Sequence, residues 1–482
     1  MNVSLISLEF CVVALGLVIL LADLWLPAER KRALGYAAAA GLILLLAVSF
    51  SGFGHCSELG TAFGGMFVQD ALSLFFKRFF LAAGAIVLLM AVEFSDEIAA
   101  GISEYYSLIL FALAGMLLAS SANNFALLFV SLELITVTFY VLTSFQRSRA
   151  VSLEAGVKYL VIGALSTAFT VFGIALVWGT SGKFNFTDLA AVAGQFANDK
   201  IFLFGLLLIM VGLGFKIAAF PFQIWAPDVY QGAPTPTTAF LAIGSKAAGF
   251  VLLLRVLFTA VPAITAHWAN LLIVISGITI LYGNLCAIPQ HNLKRLLGYS
   301  SIAHAGYLLL GIAALSGAGQ SAVLYYLGGY LFTVLAAFSV VCLVMRHLDS
   351  EEISSLAGLS QRSPLLATTI TLAMVSLAGI PPLAGFFGKF LLLKAVIEQG
   401  ATHPGYYCLA FTALAGVVMS LYYYFGVIRA VFWSPATDLS PIPVSRPMRI
   451  SIYACIAGIF YLGLFPGALV DWATEAAKVL AP

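Results

Sequence analysis

Apolar stretches of about 20 residues alternate with short polar connections along the whole chain. This is the length that a helix needs to cross the hydrocarbon core of a bilayer, so each stretch predicts one membrane-spanning helix. The pattern predicts about 14 spans. In chain order they lie near residues 4–26, 33–52, 71–93, 105–121, 124–145, 153–179, 201–223, 230–259, 266–288, 297–316, 320–346, 363–398, 404–432 and 449–470.

The composition is that of a membrane protein. Hydrophobic residues make up 62% of the chain and charged residues only 9%, whereas soluble domains contain about 25% charged residues. No polar stretch is long enough for a second, soluble domain, so we expect one all-α, polytopic transmembrane domain over residues 1–482. The first span lacks a basic segment before it and a small-residue cleavage site after it, which favours a retained helix over a signal peptide.

Basic residues collect in every second connection between the predicted spans. The set comprises Arg30, Lys31, Arg32, Arg147, Arg149, Lys294, Arg295, Arg346, Arg362, Arg446 and Arg449. Cytoplasmic connections carry an excess of lysine and arginine, so we expect these connections in the cytoplasm. With an even number of spans, both termini are then expected on the opposite side.

The sequence does not indicate metal, nucleotide or nucleic-acid chemistry. The six cysteines are scattered, at Cys11, Cys56, Cys286, Cys342, Cys408 and Cys455. Metal and iron–sulfur sites need clustered ligands, and neither a dinucleotide-binding glycine motif nor a P-loop occurs in a suitable context. We therefore expect no metal and no cofactor bound by this chain, the lipid bilayer as its surroundings, and no nucleic-acid partner. Energy must come from an ion gradient or from a partner.

Two predicted spans contain proline at membrane depth. Span 7 contains "GFKIAAFPFQIW", with Lys216 and Pro221, and span 12 contains "SLAGIPPLAGFFGKF", with Pro382. Proline leaves the carbonyl four residues earlier unpaired, which for Pro221 is the carbonyl of Ile217, next to Lys216. Transporters often place two broken helices at matching positions of an inverted repeat, and an offset of five spans makes these two run in opposite directions. Two packing kinks are the alternative.

Charged side chains are rare inside the spans, and each is a functional candidate because charge at membrane depth is costly. The candidates are Glu133 in span 5, Lys158 in span 6, Lys216 in span 7, Lys246 in span 8, His304 in span 10 and Lys389 in span 12. Glu133 is alternatively the counter-ion of one lysine, and His304 a hydrogen-bonded core histidine. Lys158 follows Glu154 by four residues, the spacing of an ordinary helix ion pair.

This set of side chains suits proton transfer. Burial disfavours the charged form of a lysine and a nearby carboxylate favours it, so we expect a lysine beside Glu133 to hold and release a proton. Sodium or calcium sites need clustered oxygen ligands, which one acid and several lysines do not supply. Groups of this kind on successive helices form a proton path where water fills the gaps between them.

Three motifs carry a family resemblance. The segments "WAPDVYQGAPTPTTAFLAIGSK", "NLKRLLGYSSIAHAGY" and "SLAGIPPLAGFFGKF" closely resemble the antiporter-like membrane subunits of respiratory complex I, the proton-pumping NADH:quinone oxidoreductase of bacteria. The resemblance covers essentially the whole chain. The length of 482 residues, the "YQGAPTP" loop and a lysine rather than a glutamate in span 12 favour the shorter of these subunits.

The resemblance implies an arrangement of the chain. Spans 4–8 and 9–13 would form two inverted five-helix repeats, each with a broken helix. The corresponding segments are 1–100 for the peripheral spans 1–3, 101–262 and 263–434 for the two repeats, and 435–482 for the last span and the C-terminus. The location would be the bacterial cell inner membrane, with both termini periplasmic.

The resemblance also implies roles for the charged residues. Glu133 and Lys216 would be the paired acid and lysine of the first half-channel. Lys246 would be the bridging lysine and Lys389 the terminal lysine of the second half-channel. Lys158 would match a lysine of the family, and His304 would match a polar group on its central axis.

The function implied is proton translocation driven by quinone reduction elsewhere in the complex. NAD, flavin, iron–sulfur clusters and quinone would be bound by other subunits, and this subunit would have no redox site of its own. Its partners would be antiporter-like paralogues and small helical membrane subunits. The alternatives are a cation/proton antiporter subunit, a subunit of a membrane hydrogenase-type complex, and a structural scaffold whose charges only hold helices together.

Overall fold

The computed structural model of the chain describes residues 3–51, 58–98, 101–348, 350–435 and 440–480. The α-helices are α1 (Ser7–Asp23), α2 (Arg32–Val48), α3 (Ala71–Glu93), α4 (Ile102–Ser120), α5 (Phe125–Thr143), α6 (Ala150–Ser181), α7 (Phe186–Ala190), α8 (Lys200–Ile217), α9 (Trp225–Gly232), α10 (Thr235–Phe240), α11 (Lys246–Leu254), α12 (Ala269–Ala287), α13 (Leu293–Ala313), α14 (Gly317–Leu348), α15 (Leu359–Arg362), α16 (Pro364–Ala378), α17 (Ala384–Gln399), α18 (Gly405–Trp433), α19 (Arg446–Leu464) and α20 (Gly467–Ala477). Two short strands, β1 (Gly60–Ala62) and β2 (Phe67–Gln69), form an antiparallel pair. Cys56 lies outside the described residues, and Cys286, Cys342, Cys408 and Cys455 are free thiols.

The helices confirm the prediction of an all-α, polytopic membrane protein. Among the described residues, twelve helical segments are long and apolar enough to cross a membrane, and α2 and α16 are two shorter apolar helices. Together these 12 and 2 segments correspond to the 14 predicted spans. The strands β1 and β2 were not predicted, because three residues are too few to give an alternating pattern.

One of the spans is a helix of mixed type. The helices α10 and α11, with the π-helical turns Leu241–Ser245 and Arg255–Ala260, form a continuous helix over Thr235–Ala260. This helix is buried on all sides, as are most residues of α13 and α14, whereas α1 and α6 expose most of their apolar surface. The buried helices are therefore the ones that carry Lys246 and His304.

Both predicted helix breaks are present, with different boundaries. Span 7 was predicted to continue to residue 223, but α8 ends at Ile217 and the chain resumes as α9, part of which the prediction had assigned to span 8. Span 12 is two helices, α16 and α17. Each break contains a cis peptide bond before proline, at Pro221 and at Pro382. The inverted relation of the segments around these breaks stays a prediction.

The helix α13 links the two halves of the bundle. It packs against α9, which follows the first break, and against α17, which follows the second break. It also packs against α12 and α14. Polar side chains on this one helix therefore lie near both helix breaks.

A buried ion pair joins the start of α3 to the central helix Thr235–Ala260. The Arg255 guanidinium donates to both carboxylate oxygens of Asp70, at 2.8 and 3.1 Å, and its Nε donates to the carbonyl of Ser120 at 2.8 Å. The same carboxylate caps α3, because it accepts the Ser73 backbone N–H at 2.7 Å. Asp70 thus anchors three helices at one end of the bundle.

We expect Asp70→Ala to destabilise the protein by about 3 kcal/mol, because removal of one partner leaves the buried charge of Arg255 uncompensated. The measurement is the thermal unfolding midpoint of the purified full-length chain in detergent. Glu475→Ala is the control, since it removes only an exposed pair with Lys478 and such pairs contribute little. Equal midpoints for the two variants would contradict the anchoring role of Asp70.

Candidate functional site

Lys216 is buried near the end of α8 and binds a threonine. Only 3% of the residue is exposed, and its Nζ donates to Oγ1 of Thr136 in α5 at 2.8 Å. The stem of the lysine packs on α11, where a Cβ at Gly249 would lie 3.2 Å from Lys216 Cγ. The absence of a side chain at Gly249 therefore creates the space that the lysine occupies.

Glu133 lies near Lys216 but is not its direct partner. The half-buried carboxylate accepts a hydrogen bond from Oγ1 of Thr167 in α6 at 2.7 Å, and no ion pair joins it to Lys216. Glu133 and Thr136 are three residues apart, so both project from one side of α5. Thr136 thus takes the position beside the ammonium group, and Glu133 reaches towards α6. The role of Glu133 and Lys216 as a functional pair stays a prediction.

A small polar cavity connects the two charged groups. Its volume is about 20 Å³, and both Glu133 and Lys216 line it. The remaining polar lining consists of the hydroxyl side chains of Thr136, Ser166, Thr167 and Thr170. A cavity of this size with several polar partners holds about one water molecule. One water therefore suffices to join the carboxylate, the hydroxyls and the lysine.

Lys246 binds α13 on the far side of Lys216. It is the first residue of α11 and follows the π-helical turn Leu241–Ser245. Its Nζ donates to the carbonyl oxygen of Ser301 at 2.6 Å and to the Ser301 hydroxyl at 2.5 Å. That hydroxyl lies 3.1 Å from the hydroxyl of Tyr230 in α9. The central lysine is thus held by α13 rather than by a carboxylate.

His304 lies one turn further along α13, between two tyrosines. Its Nε2 is 3.0 Å from the Tyr424 hydroxyl, and its Nδ1 contacts the Tyr326 hydroxyl. Tyr424 also contacts the hydroxyl of Ser300. The sequence was compatible with a functional histidine or a hydrogen-bonded core histidine at His304. In the structure His304 belongs to a buried network of hydroxyl groups between Lys246 and Lys389.

Lys389 fills the second helix break. Its Nζ donates to the carbonyls of Leu377 and Ala378, at 2.7 and 3.2 Å, and lies 4.9 Å from the centre of the Tyr307 ring. These carbonyls end α16, where the chain turns through Gly379 at φ +85°. A Cβ at Gly379 would lie 2.9 Å from the lysine Cδ, so both the backbone angle and the close approach require glycine.

The first break does not supply acceptors to Lys216, although the sequence indicated that the break and the charge coincide. The Phe215 carbonyl accepts from Trp225 Nε1 at 3.0 Å, and the Phe220 N–H donates to the Thr279 hydroxyl at 3.0 Å. The lysine side chain instead reaches sideways to Thr136 on α5. Lys389 therefore binds carbonyls of its helix break, whereas Lys216 does not.

Lys158 lies in a partly exposed network of charges. Its side chain is 42% exposed, and its Nζ is 2.7 Å from both Glu154 and Asp228. Asp228, in α9, also binds Arg295 at 2.6 Å. The helix pair with Glu154 was predicted, but Asp228 was missed because a partner 70 residues away leaves no local signal.

Two kinds of cation therefore occur in the bundle. Lys216, Lys246 and Lys389 donate to hydroxyl or carbonyl oxygens. Other buried cations bind carboxylates, as Lys77 does with Glu9 at 2.7 Å and Arg255 with Asp70 at 2.8 Å. Among the described residues, no group of three or more His, Cys, Asp or Glu side chains is placed to hold a metal ion.

We expect Gly212→Ala to separate α6 from α8 at the cavity. A Cβ at Gly212 would lie 1.7 Å from the Thr170 hydroxyl, and overpacking of this kind costs about 1–3 kcal/mol. The measurement is the thermal unfolding midpoint of the full-length chain. Gly179→Ala in α6 is the matched control, because nothing lies within 4 Å of the added Cβ. A Gly212 variant as stable as the control would contradict the close approach.

Comparison with known proteins places these features in a family. The family model described as NADH:quinone oxidoreductase/Mrp antiporter, TM, matches residues 122–420, a range that contains every site residue named above from Glu133 to Lys389. NADH-quinone oxidoreductase subunit N of Heliobacterium modesticaldum is 39% identical over 482 residues, which is 100% of both chains.

Solved structures agree. A chain of respiratory complex I from Thermus thermophilus with bound aureothin has a TM-score of 0.80 and 33% identity, and the match covers 96% of this chain and 98% of that one. A chain of the Mrp complex from Dietzia sp. has a TM-score of 0.84 at 20% identity, over 100% and 98% of the two chains, and so shares the fold. Full-length identity well above 30% decides between these groups: the chain belongs to the family of NADH-quinone oxidoreductase subunit N.

Proposed function

We propose that this chain is a proton-translocating membrane subunit of an NADH:quinone oxidoreductase, and that Glu133, Lys216, Lys246 and Lys389 carry the proton. One observation supports this most directly. Each of the three lysines is buried and hydrogen-bonded to a neutral oxygen, with no carboxylate within ion-pair distance in the part of the chain that the structure describes.

Neutral acceptors suit a lysine that changes its protonation state. A carboxylate stabilises the ammonium form strongly and would hold the proton in place. A hydroxyl accepts a hydrogen bond from an ammonium group and can rotate to donate one to the neutral amine. Ser301 can therefore satisfy Lys246 in either state. Thr136 can do so for Lys216 by exchanging its hydrogen bond to the Leu132 carbonyl for one to the amine. Both arrangements lower the cost of gaining and losing a proton.

The four groups follow one another across the bundle. Glu133 and Lys216 share the cavity, and Lys216 packs against Gly249, one turn from Lys246 on α11. Lys246 binds Ser301, one turn from His304 on α13.

Tyr307, one turn beyond His304 on α13, then lies under Lys389. Residues three apart on a helix are neighbours on its surface, so each step is short. We propose that His304 relays the proton between the last two lysines.

Lys158 has a different proposed role. It is partly exposed and bound by two carboxylates, so its proton is held firmly. We propose that it is a positioning residue, which fixes α9 through Asp228.

The resemblance to subunit N also supports proposals about the surroundings. The relative's name, NADH-quinone oxidoreductase subunit N, supports a complex in which other subunits bind NAD, flavin, iron–sulfur clusters and quinone. The partners are other membrane subunits of that complex. The basic connections support a bacterial inner membrane location with both termini periplasmic.

We expect Lys216→Gln to lower proton pumping by the assembled complex about a hundredfold, the lower end of what a positioned acid–base group contributes. Glutamine still donates to Thr136 but cannot carry the proton. The measurement is proton uptake by inverted membrane vesicles per NADH oxidised. Lys394→Gln is the control, because that lysine is exposed and paired with Glu398. Normal pumping by the Lys216 variant in a fully assembled complex would reject the proposal.

Two substitutions at Lys389 distinguish a role in proton transfer from a purely structural role. Glutamine retains a donor for the carbonyls of Leu377 and Ala378, whereas leucine leaves both without this partner. We expect Lys389→Gln to assemble normally and to lose pumping, and Lys389→Leu to lose both. The measurements are the amount of intact complex in native gels and the protons pumped per NADH. A Gln variant that assembles and pumps normally would favour the scaffold.

A further inference from the structure

A second charged site lies outside the proton path, in a groove on the side of the bundle. The groove lies between α3, α14, α19 and α20 and has a volume of about 370 Å³. We call it the Arg78 groove, and its walls include Phe50, Arg78, Phe332, Gly458, Leu469 and Trp472. Its lining is otherwise apolar, and Arg78 is the one charged residue among the described residues that line it.

Arg78 uses only part of its hydrogen-bonding capacity. One Nη donates to the carbonyl of Ser49 at 2.6 Å, and the guanidinium lies 4.1 Å from the centre of the Phe50 ring and 5.7 Å from that of Trp472. Its buried Nε has no hydrogen-bond partner among the described residues. A guanidinium has five N–H donors, so donors remain for another group.

Arg78 also has no counter-ion among the residues that the structure describes. Its neighbour Lys77 binds Glu9 at 2.7 Å, and Arg255 binds Asp70 at 2.8 Å. No carboxylate oxygen of the described residues lies within 4 Å of Arg78. A charge removed from water is costly unless it is paired, so this half-buried cation is expected to take an anion from outside the chain.

The depth of Arg78 indicates which anions reach it. Ser49, its backbone partner, directly follows the last residue of α2, so the guanidinium is level with the end of a membrane helix. Trp472 belongs to α20, a short helix that follows the end of α19, and tryptophan is enriched at the membrane–water boundary. Phosphate groups of lipids occupy this level, and guanidinium and phosphate geometries match.

We propose that the Arg78 groove binds an anionic phospholipid, with the headgroup phosphate on Arg78 and an acyl chain along the apolar wall. An anionic lipid is favoured over a zwitterionic one because no acidic residue lines the described groove to receive a choline or ethanolamine group. The wall of the groove offers an apolar surface to an acyl chain and is formed by Phe332, Leu469 and Gly458.

The test uses the assembled complex in vesicles that contain phosphatidylglycerol with a photoactivatable group on one acyl chain. We expect light to attach this probe to the peptides of α3 and α20 that line the groove. Arg78→Gln is expected to lower this labelling about tenfold, which corresponds to the loss of one charge-assisted hydrogen bond. Phosphatidylcholine with the same photoactivatable chain is expected to label the wild-type groove as weakly as phosphatidylglycerol labels the Arg78→Gln variant.

A second variant keeps the proposal testable if Arg78→Gln does not assemble. Leu469→Trp fills the apolar wall and leaves the charge intact, so it is expected to abolish labelling as well. Lys394→Gln is the control and is expected to label as wild type does, because it removes a paired cation elsewhere.

Three results would overturn the proposal. The first is equal labelling by the two lipids, and the second is labelling unaffected by Arg78→Gln. The third is a cross-link from the groove to another subunit, which would identify a protein as its occupant.

Discussion

An ammonium group inside a membrane is removed from bulk water, so the protein must supply most of the hydrogen-bond acceptors it needs. The rest of this structure depends on which acceptor each cation receives. Carboxylates hold Lys77 and Arg255 in place and join distant helices. Neutral hydroxyl and carbonyl oxygens are the acceptors of Lys216, Lys246 and Lys389. The same physical demand is thus met by carboxylates at some buried cations and by neutral oxygens at others.

The two helix breaks meet this demand in different ways. At the second break, the unpaired carbonyls that end α16 are themselves the acceptors for Lys389. At the first break, side chains such as Trp225 and Thr279 satisfy backbone groups, and Lys216 turns to a threonine of another helix. The break in a helix therefore does not by itself determine which groups bind its unpaired backbone atoms. The residues packed around it decide whether its backbone groups bind a side-chain cation or are satisfied locally.

Local patterns predicted most of the fold and the identity of the candidate residues. The length of the apolar stretches indicated the spans, and proline indicated both breaks, because both signals lie within one continuous segment of the chain. Partners across helices were not predictable. Asp228 for Lys158 and Thr136 for Lys216 depend on how α5, α6, α8 and α9 pack. The end of α8 at Ile217 was also missed, because the apolar pattern continues to Pro221 and conceals the turn.

The smallest feature of the site has a consequence for ion selectivity. A metal cation must keep several oxygen ligands around it as it moves, and the cavity of about 20 Å³ between Glu133 and Lys216 has room for one water and no coordination shell. A proton needs no such shell, because it passes from one oxygen or nitrogen to the next along hydrogen bonds. The narrow space at Gly212 and Thr170 thus suits the passage of a proton better than that of a sodium ion with its ligands.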